Sequence, residues 1–210
     1  MANIDAPKGF VPLRHVNGQA WNGATNPFLI DSGNGTATGI GDVVVTAGGA
    51  GAVGTVVNGM DVEGMMTVIR ASAGTTGQNI VGVVTGFLPD PTNLAGKYRL
   101  ASTNRIALVC TDPTVVYECQ EDADTTPLAA ADMGMNAAFI VGSVDATTGV
   151  SNVEIDSSSK ATTATLPLIL MGLVKRPDNH FNTAGAGSDN AKYEVMFNTY
   201  LQAPNSVGIS

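Results

Sequence analysis

Residues Gly49-Ala50-Gly51-Ala52-Val53-Gly54 match the spacing of a dinucleotide-binding glycine loop and follow a valine run at 43–45. Such a loop cradles a pyrophosphate only where a helix N-terminus comes next. Here Thr55-Val56-Val57 and then Asn58-Gly59 follow: β-branched residues and a turn. The acidic partner expected after a second strand is also missing, since that strand ends near Arg70. The segment reads as a glycine-rich hairpin loop, and no cofactor is expected.

Other chemistry-bearing residues are sparse. The two histidines, His15 and His180, fall in no His-x-x-x-His or Cys-x-x-Cys spacing, so no metal centre is expected. His180 follows Arg176-Pro177-Asp178-Asn179 and reads as an exposed loop residue. Glu118, Glu121, Asp122 and Asp124 crowd one strand end, a composition that invites calcium, but the EF-hand spacing and its glycine are absent. A solvated acidic edge that keeps a strand from pairing is expected there instead. No G-x-S-x-G elbow supplies an activated serine. No catalytic residue is assigned and the chain is not expected to be an enzyme. Asn34-Gly35-Thr36 is a glycosylation sequon, which has meaning only in a secreted chain.

Cys110 and Cys119 flank Thr111-Asp112-Pro113-Thr114. Ile106, Leu108 and Cys110 alternate on one face, as do Val115, Tyr117 and Cys119, with Arg105, Glu118 and Gln120 opposite. Read as a hairpin, either register leaves the sulfurs at least a diagonal apart, roughly 7–8 Å, beyond comfortable disulfide reach. Two buried free thiols are expected.

The elements that position these residues are short. The 210 residues include Gly 25 and Pro 10, charged residues reach only 13%, and the net charge is −8. Lys, Glu and Arg are too scarce for a helix bundle, while a hydrophobic content of 44% is too high for a disordered chain. Strands are predicted at 28–31, 42–46, 53–57, 66–71, 79–88, 97–101, 105–111, 114–121, 137–144, 153–156, 166–174 and 192–201, with Asn34-Gly35 and Asn58-Gly59 between runs. The run 166–174 is apolar on both faces and suits a central strand, with Pro167 at its start or beside a bulge. One short helical turn is predicted over 127–133, capped by Thr126 and stopped by Gly134. The fold class is therefore all-β: a β-barrel or β-sandwich, jelly-roll-like or β-tulip-like.

Residues 1–27 form a separate extended N-terminal arm in this reading, ahead of a β domain over 28–210. Pro7, Pro12 and Pro27 with Gly9, Gly18 and Gly23 interrupt every periodic segment, yet the arm holds the one tryptophan of the chain. Phe10, Leu13, Arg14 and Trp21 are the expected anchors of an interface, and the alternative is that Phe10 and Trp21 fold back over an open end of their own barrel. The acidic balance argues against nucleic acid as a partner. The opening residues lack the apolar core of a secretory signal, and 166–174 is too short to span a bilayer, so no membrane partner and a cytosolic origin are expected.

Several stretches resemble tailed-bacteriophage head proteins of the decoration or structural cement kind. They are Gly9-Phe10-Val11-Pro12-Leu13-Arg14-His15-Val16-Asn17-Gly18 with Trp21-Asn22-Gly23, Val81-Gly82-Val83-Val84-Thr85-Gly86-Phe87, the segment from Arg105 to Asp122, Arg176-Pro177-Asp178-Asn179, and Lys192 to Tyr200. The resemblance implies a β-rich virion protein on the outer capsid surface that cements neighbouring major capsid protein subunits. It also implies a homo-oligomer, a trimer rather than a dimer, and carries over no catalytic motif. A carbohydrate- or host-surface-binding β-module is the alternative, and its need for exposed aromatics meets only 5% aromatic residues.

Overall fold

The computed structural model describes residues 3–73, 79–181 and 189–201. Its strands are β1 (Val11–His15), β2 (Asn26–Ile30), β3 (Val43–Ala50), β4 (Val56–Val57), β5 (Met60–Asp61), β6 (Met66–Arg70), β7 (Ile80–Phe87), β8 (Arg105–Cys110), β9 (Val115–Gln120), β10 (Asn136–Ile140), β11 (Glu154–Ala161), β12 (Leu168–Leu173) and β13 (Lys192–Phe197). The all-β expectation is met, and both expected architectures occur in one chain. Strands β2-β6-β3-β7-β8 close into a barrel, and a six-stranded sheet in the order β1-β9-β13-β12-β10-β11 stacks on the barrel wall.

Alternation along the barrel strands feeds three apolar layers. Phe28, Ile30, Val44, Val68, Val81, Val84, Ala107 and Val109 fill the lumen. Val43, Ile80, Val83 and Cys110 point outward onto the sheet, where they meet Tyr117, Phe139, Ile155, Leu168, Tyr193 and Val195. Leu29 and Ile106 point out on another side and are covered by Val57 and Val62. Gly82 has a specific role in closing the barrel, because a Cβ at that position would lie 2.0 Å from the Cys110 carbonyl oxygen.

Four expectations are corrected. The segment from Arg105 to Asp122 is not a hairpin: β8 pairs with β2 and β7, whereas β9 pairs with β1 and β13. The Asp112 carboxylate accepts both the Thr114 N–H and its hydroxyl, at 2.8 and 2.7 Å, and this turn carries the chain from the barrel across to the sheet. The N-terminal segment does form a regular strand. β1 is an edge strand of the sheet, where Pro12 is tolerated, and its outer side is covered by bonds from His15 N–H to Gln19 and from Trp21 N–H to Leu13. Residues 97–101 are not a strand, apart from one bridge between Thr38 and Arg99, whose side chain is fully buried. Glu118 and Glu121 are buried rather than part of a solvated edge, while Asp122 and Asp124 are half-buried.

The helical turn is shorter than predicted, a 3-10 turn at Ala130–Asp132 whose N-cap is Ala129 rather than Thr126. Gly134 ends it with a φ of 90°. β12 is interior to the sheet, and Pro167 stands just before it.

Candidate interaction surface

Phe10, Leu13, Arg14 and Trp21 are brought together with the sheet, each by a different contact. Phe10 is 1% exposed and plugs the space between sheet and barrel, its ring 4.9 Å from Phe197 and 5.8 Å from Phe139. As folded it has no surface to offer a partner, which corrects its assignment as an interface anchor. Leu13 is half-buried at the β1 bulge and accepts the Trp21 N–H. Arg14 is engaged with Glu194 at 2.6 Å. Trp21 packs against the main core, its indole Nε1 enclosed near the Cys110 thiol. Phe10 and Trp21 both pack onto their own chain, but between sheet and barrel wall rather than over an open barrel end.

Between this segment and the barrel lies a cavity of about 440 Å³ lined by Phe10, Pro12, Trp21, Ile40, Val84 and Leu108, with Lys8 the one charged residue among its lining. It can accept an apolar side chain and offers no acid–base pair for chemistry.

The carboxylates gather elsewhere. Asp122, Asp124 and Asp156 bring oxygens within 4.8 Å of one another. Their environment already satisfies them: Ser157 donates through its N–H and hydroxyl to Asp122 at 3.1 and 2.7 Å, and Thr126 N–H donates to Asp124 at 2.6 Å. Burial pushes the neighbouring Glu154 up to about 7, helped by the Asp5 and Asp122 charges and opposed by the Gln120 amide. His180 is half-buried, not exposed, and exchanges bonds with Asn3, its N–H donating to Oδ1 at 3.4 Å. Neither histidine belongs to a group of potential metal ligands among the described residues.

The end of the barrel beyond β3 and β6 has a different character. The glycine-rich stretch at 49–54 is not itself a hairpin loop, which corrects the sequence reading: β3 runs on through Ala50 to pair with β6, and the stretch then leads into a separate small hairpin. Asn58 and Gly59 take φ of 51° and 81° and join β4 to β5, the positive pair that a two-residue hairpin loop requires. Val57 and Val62 pin the hairpin onto Leu29 and Ile106. Gly51 is obligatory, since a Cβ there would lie 1.9 Å from the Val62 carbonyl oxygen.

Facing the hairpin across a groove of about 400 Å³ is the loop between β7 and β8, through Asp90, Pro91, Thr92 and Asn104. Two arginines hold this loop from within. Arg99 donates to the carbonyls of Thr103, Thr36, Asp31 and Asn34 at 2.8, 2.6, 2.8 and 2.7 Å. Arg105 donates to Tyr98 and Gly96 at 2.8 and 2.9 Å and stacks on Phe87. Both segments expose large apolar side chains among polar ones: Val53 is 83% exposed, Leu94 81%, Val56 64%, Leu100 49% and Met60 39%. Sequence reading missed this surface because valines on β-prone runs look like core. The Asn-Gly turn and four close glycines were the available signal that the run at 53–57 projects.

No family model matches this chain, and no curated protein or solved structure matches it either.

Proposed function

We propose that this chain is a structural virion protein that binds the outer surface of a phage capsid and cements neighbouring major capsid protein subunits, acting as a homo-oligomer. The observation that carries the reading is the barrel end. Five large apolar side chains stand exposed on two segments that are themselves rigidly braced, an arrangement suited to docking on another protein. The net charge of −8 favours the outside of a shell over its DNA-facing inside. The resemblance of the N-terminal and C-terminal stretches to cement proteins points the same way. In this reading the barrel end makes the contact, and the N-terminal segment serves the fold.

Electron microscopy of the source particle tests the proposal. The expected result is density for a barrel stacked on a six-stranded sheet at the outer capsid surface, spanning a junction between subunits. Absence of the chain from purified particles, or its location inside the shell, would overturn it.

A further inference from the structure

We infer that the barrel end docks on a foreign protein surface that is apolar at its centre and rimmed by lysine or arginine; the inference rests on the capsid reading and specifies the partner's chemistry.

The argument is one of charge placement around the apolar residues. No lysine or arginine occurs between Arg14 and Arg70, a stretch that includes the whole hairpin. The hairpin does carry Asp61 and Glu63, both exposed, beside Val56 and Met60. Across the groove, Asp90 accepts the Thr92 N–H and hydroxyl at 2.9 and 2.7 Å, bonds that hold its carboxyl below the ordinary range and keep it charged. The cations of that loop are already engaged. Lys97 reaches back to the Thr147 carbonyl at 2.5 Å, and Arg99 and Arg105 are spent on backbone carbonyls. The loop therefore buries its two arginines, ties its exposed lysine to Thr147, and presents Leu94, Leu100 and Asp90 beside the hairpin acids.

A second copy of this chain is a poor occupant. Presenting the same end, it would set acid against acid. Presenting another face, it offers only scattered base: Arg14, Arg70, Arg176 and Lys160 are ion-paired, Lys97, Arg99 and Arg105 are bonded to carbonyls, and Lys8, Lys175 and Lys192 remain, away from any exposed apolar cluster of their own. A heterologous surface with free basic groups satisfies both the apolar and the acidic parts. The bracing by Val57, Val62 and Arg99 means that little ordering remains to be done on docking.

The test uses source capsids assembled without this chain, to which the full-length protein is added back and co-sedimented. The wild-type protein is expected to bind, more weakly as salt rises from about 0.05 to 0.5 M. The Val53→Asp/Val56→Asp variant, and separately Leu94→Asp, should each bind roughly tenfold or more weakly with an unchanged melting temperature. Asp61→Lys/Glu63→Lys should lose affinity and much of the salt dependence. If the wild-type protein does not bind these capsids, the capsid reading fails and takes the inference with it. If it binds but the apolar variants bind equally well, or binding ignores salt, the capsid reading stands and this docking surface is wrong. Equally, if Val53→Asp/Val56→Asp dissociates an oligomer in sedimentation velocity while still binding capsids, the surface is a self-contact and the inference falls.

Discussion

Glu118 and Glu194 stand directly opposite each other on neighbouring strands β9 and β13, two acids in a cross-strand pair. Like charges so placed destabilise a sheet, and each is answered by an arginine from elsewhere in the chain. Arg176 grips both oxygens of Glu118, at 2.8 and 2.5 Å, and Arg14 from β1 bonds Glu194 at 2.6 Å. The arginine singled out in the N-terminal segment is thus a tie within the sheet.

Removing either arginine should expose the repulsion. Arg176→Ala is expected to lower stability by about 1 kcal/mol or more, and Arg14→Ala by somewhat less, since both pairs are partly solvated. Adding Glu194→Gln should restore much of the loss in the Arg14→Ala background. Denaturant unfolding of the single and double variants measures this, and full additivity would show that Arg14 and Glu194 are not coupled.

A buried ion pair within the barrel anchors two loops of the sheet half. Asp42, at the start of β3, meets Arg70 at 2.9 Å, with the two side chains 0% and 7% exposed. Asp42 also accepts Gly39 N–H and the Ser151 hydroxyl, at 2.7 and 2.6 Å, and Arg70 donates to the Gly142 carbonyl beyond β10. Asp42→Asn or Arg70→Met should each cost roughly 3–5 kcal/mol, because each strands a buried polar partner. The joint replacement Asp42→Leu/Arg70→Met should cost less than the two added together. Urea unfolding curves at neutral pH give the comparison.

Much of the strand content was legible because half-buried strands alternate, as Tyr193, Val195 and Phe197 do against Lys192, Glu194 and Asn198. Partnership was not legible. A four-residue turn between two alternating runs normally signals a hairpin, but β8 and β9 are needed by different layers. β8 lends Ala107 and Val109 to the barrel lumen, whereas β9 lends Tyr117 and Cys119 to the sheet. The polar face of β9 looked solvated, yet Glu118 and Gln120 are buried because Arg176, Asp5, Glu154 and Asn190 reach them from distant positions. The N-terminal segment misled for a related reason. Its prolines and glycines suppress local periodicity, and only the sheet edge offered by β9 makes Val11–His15 a strand. Arg99 gave no signal either, since its partners are backbone carbonyls, which no residue type announces.

The thiols provide a check on the interior. Cys110 and Cys119 are free and buried, as expected, although on different layers rather than in one hairpin. Burial pushes Cys110 up, against an opposing bond from the Tyr117 hydroxyl at 3.3 Å. Burial also pushes Cys119 well up, reinforced by the Glu154 and Glu118 charges. Neither should react with a thiol reagent in the folded protein at pH 8, and both should react at once in denaturant. Stoichiometric labelling without denaturant would contradict the packing.

The last prediction concerns pH. Glu121 is buried with one oxygen accepting Leu128 N–H at 2.7 Å, and burial pushes its carboxyl up to about 8, opposed by the Leu128 and Ala191 backbone. In the unfolded chain the same group titrates near about 4.3. Between those values the folded protein keeps a proton that the unfolded chain has released, so the folded state binds more protons and stability falls as pH rises. Glu154, pushed up to about 7, adds to the fall over the lower part of the same window. Stability should therefore be greatest near pH 5 and decline toward pH 8, with Glu121 alone contributing about 1 kcal/mol per pH unit. Glu121→Gln keeps the shape and removes the titration. It should match wild type near pH 5 and exceed it by a few kcal/mol at pH 8. Urea unfolding at pH 5, 6.5 and 8 reads this directly. A wild-type stability that rises over that range, or a Glu121→Gln variant with the same slope as wild type, would show that Glu121 is already ionised in the folded protein.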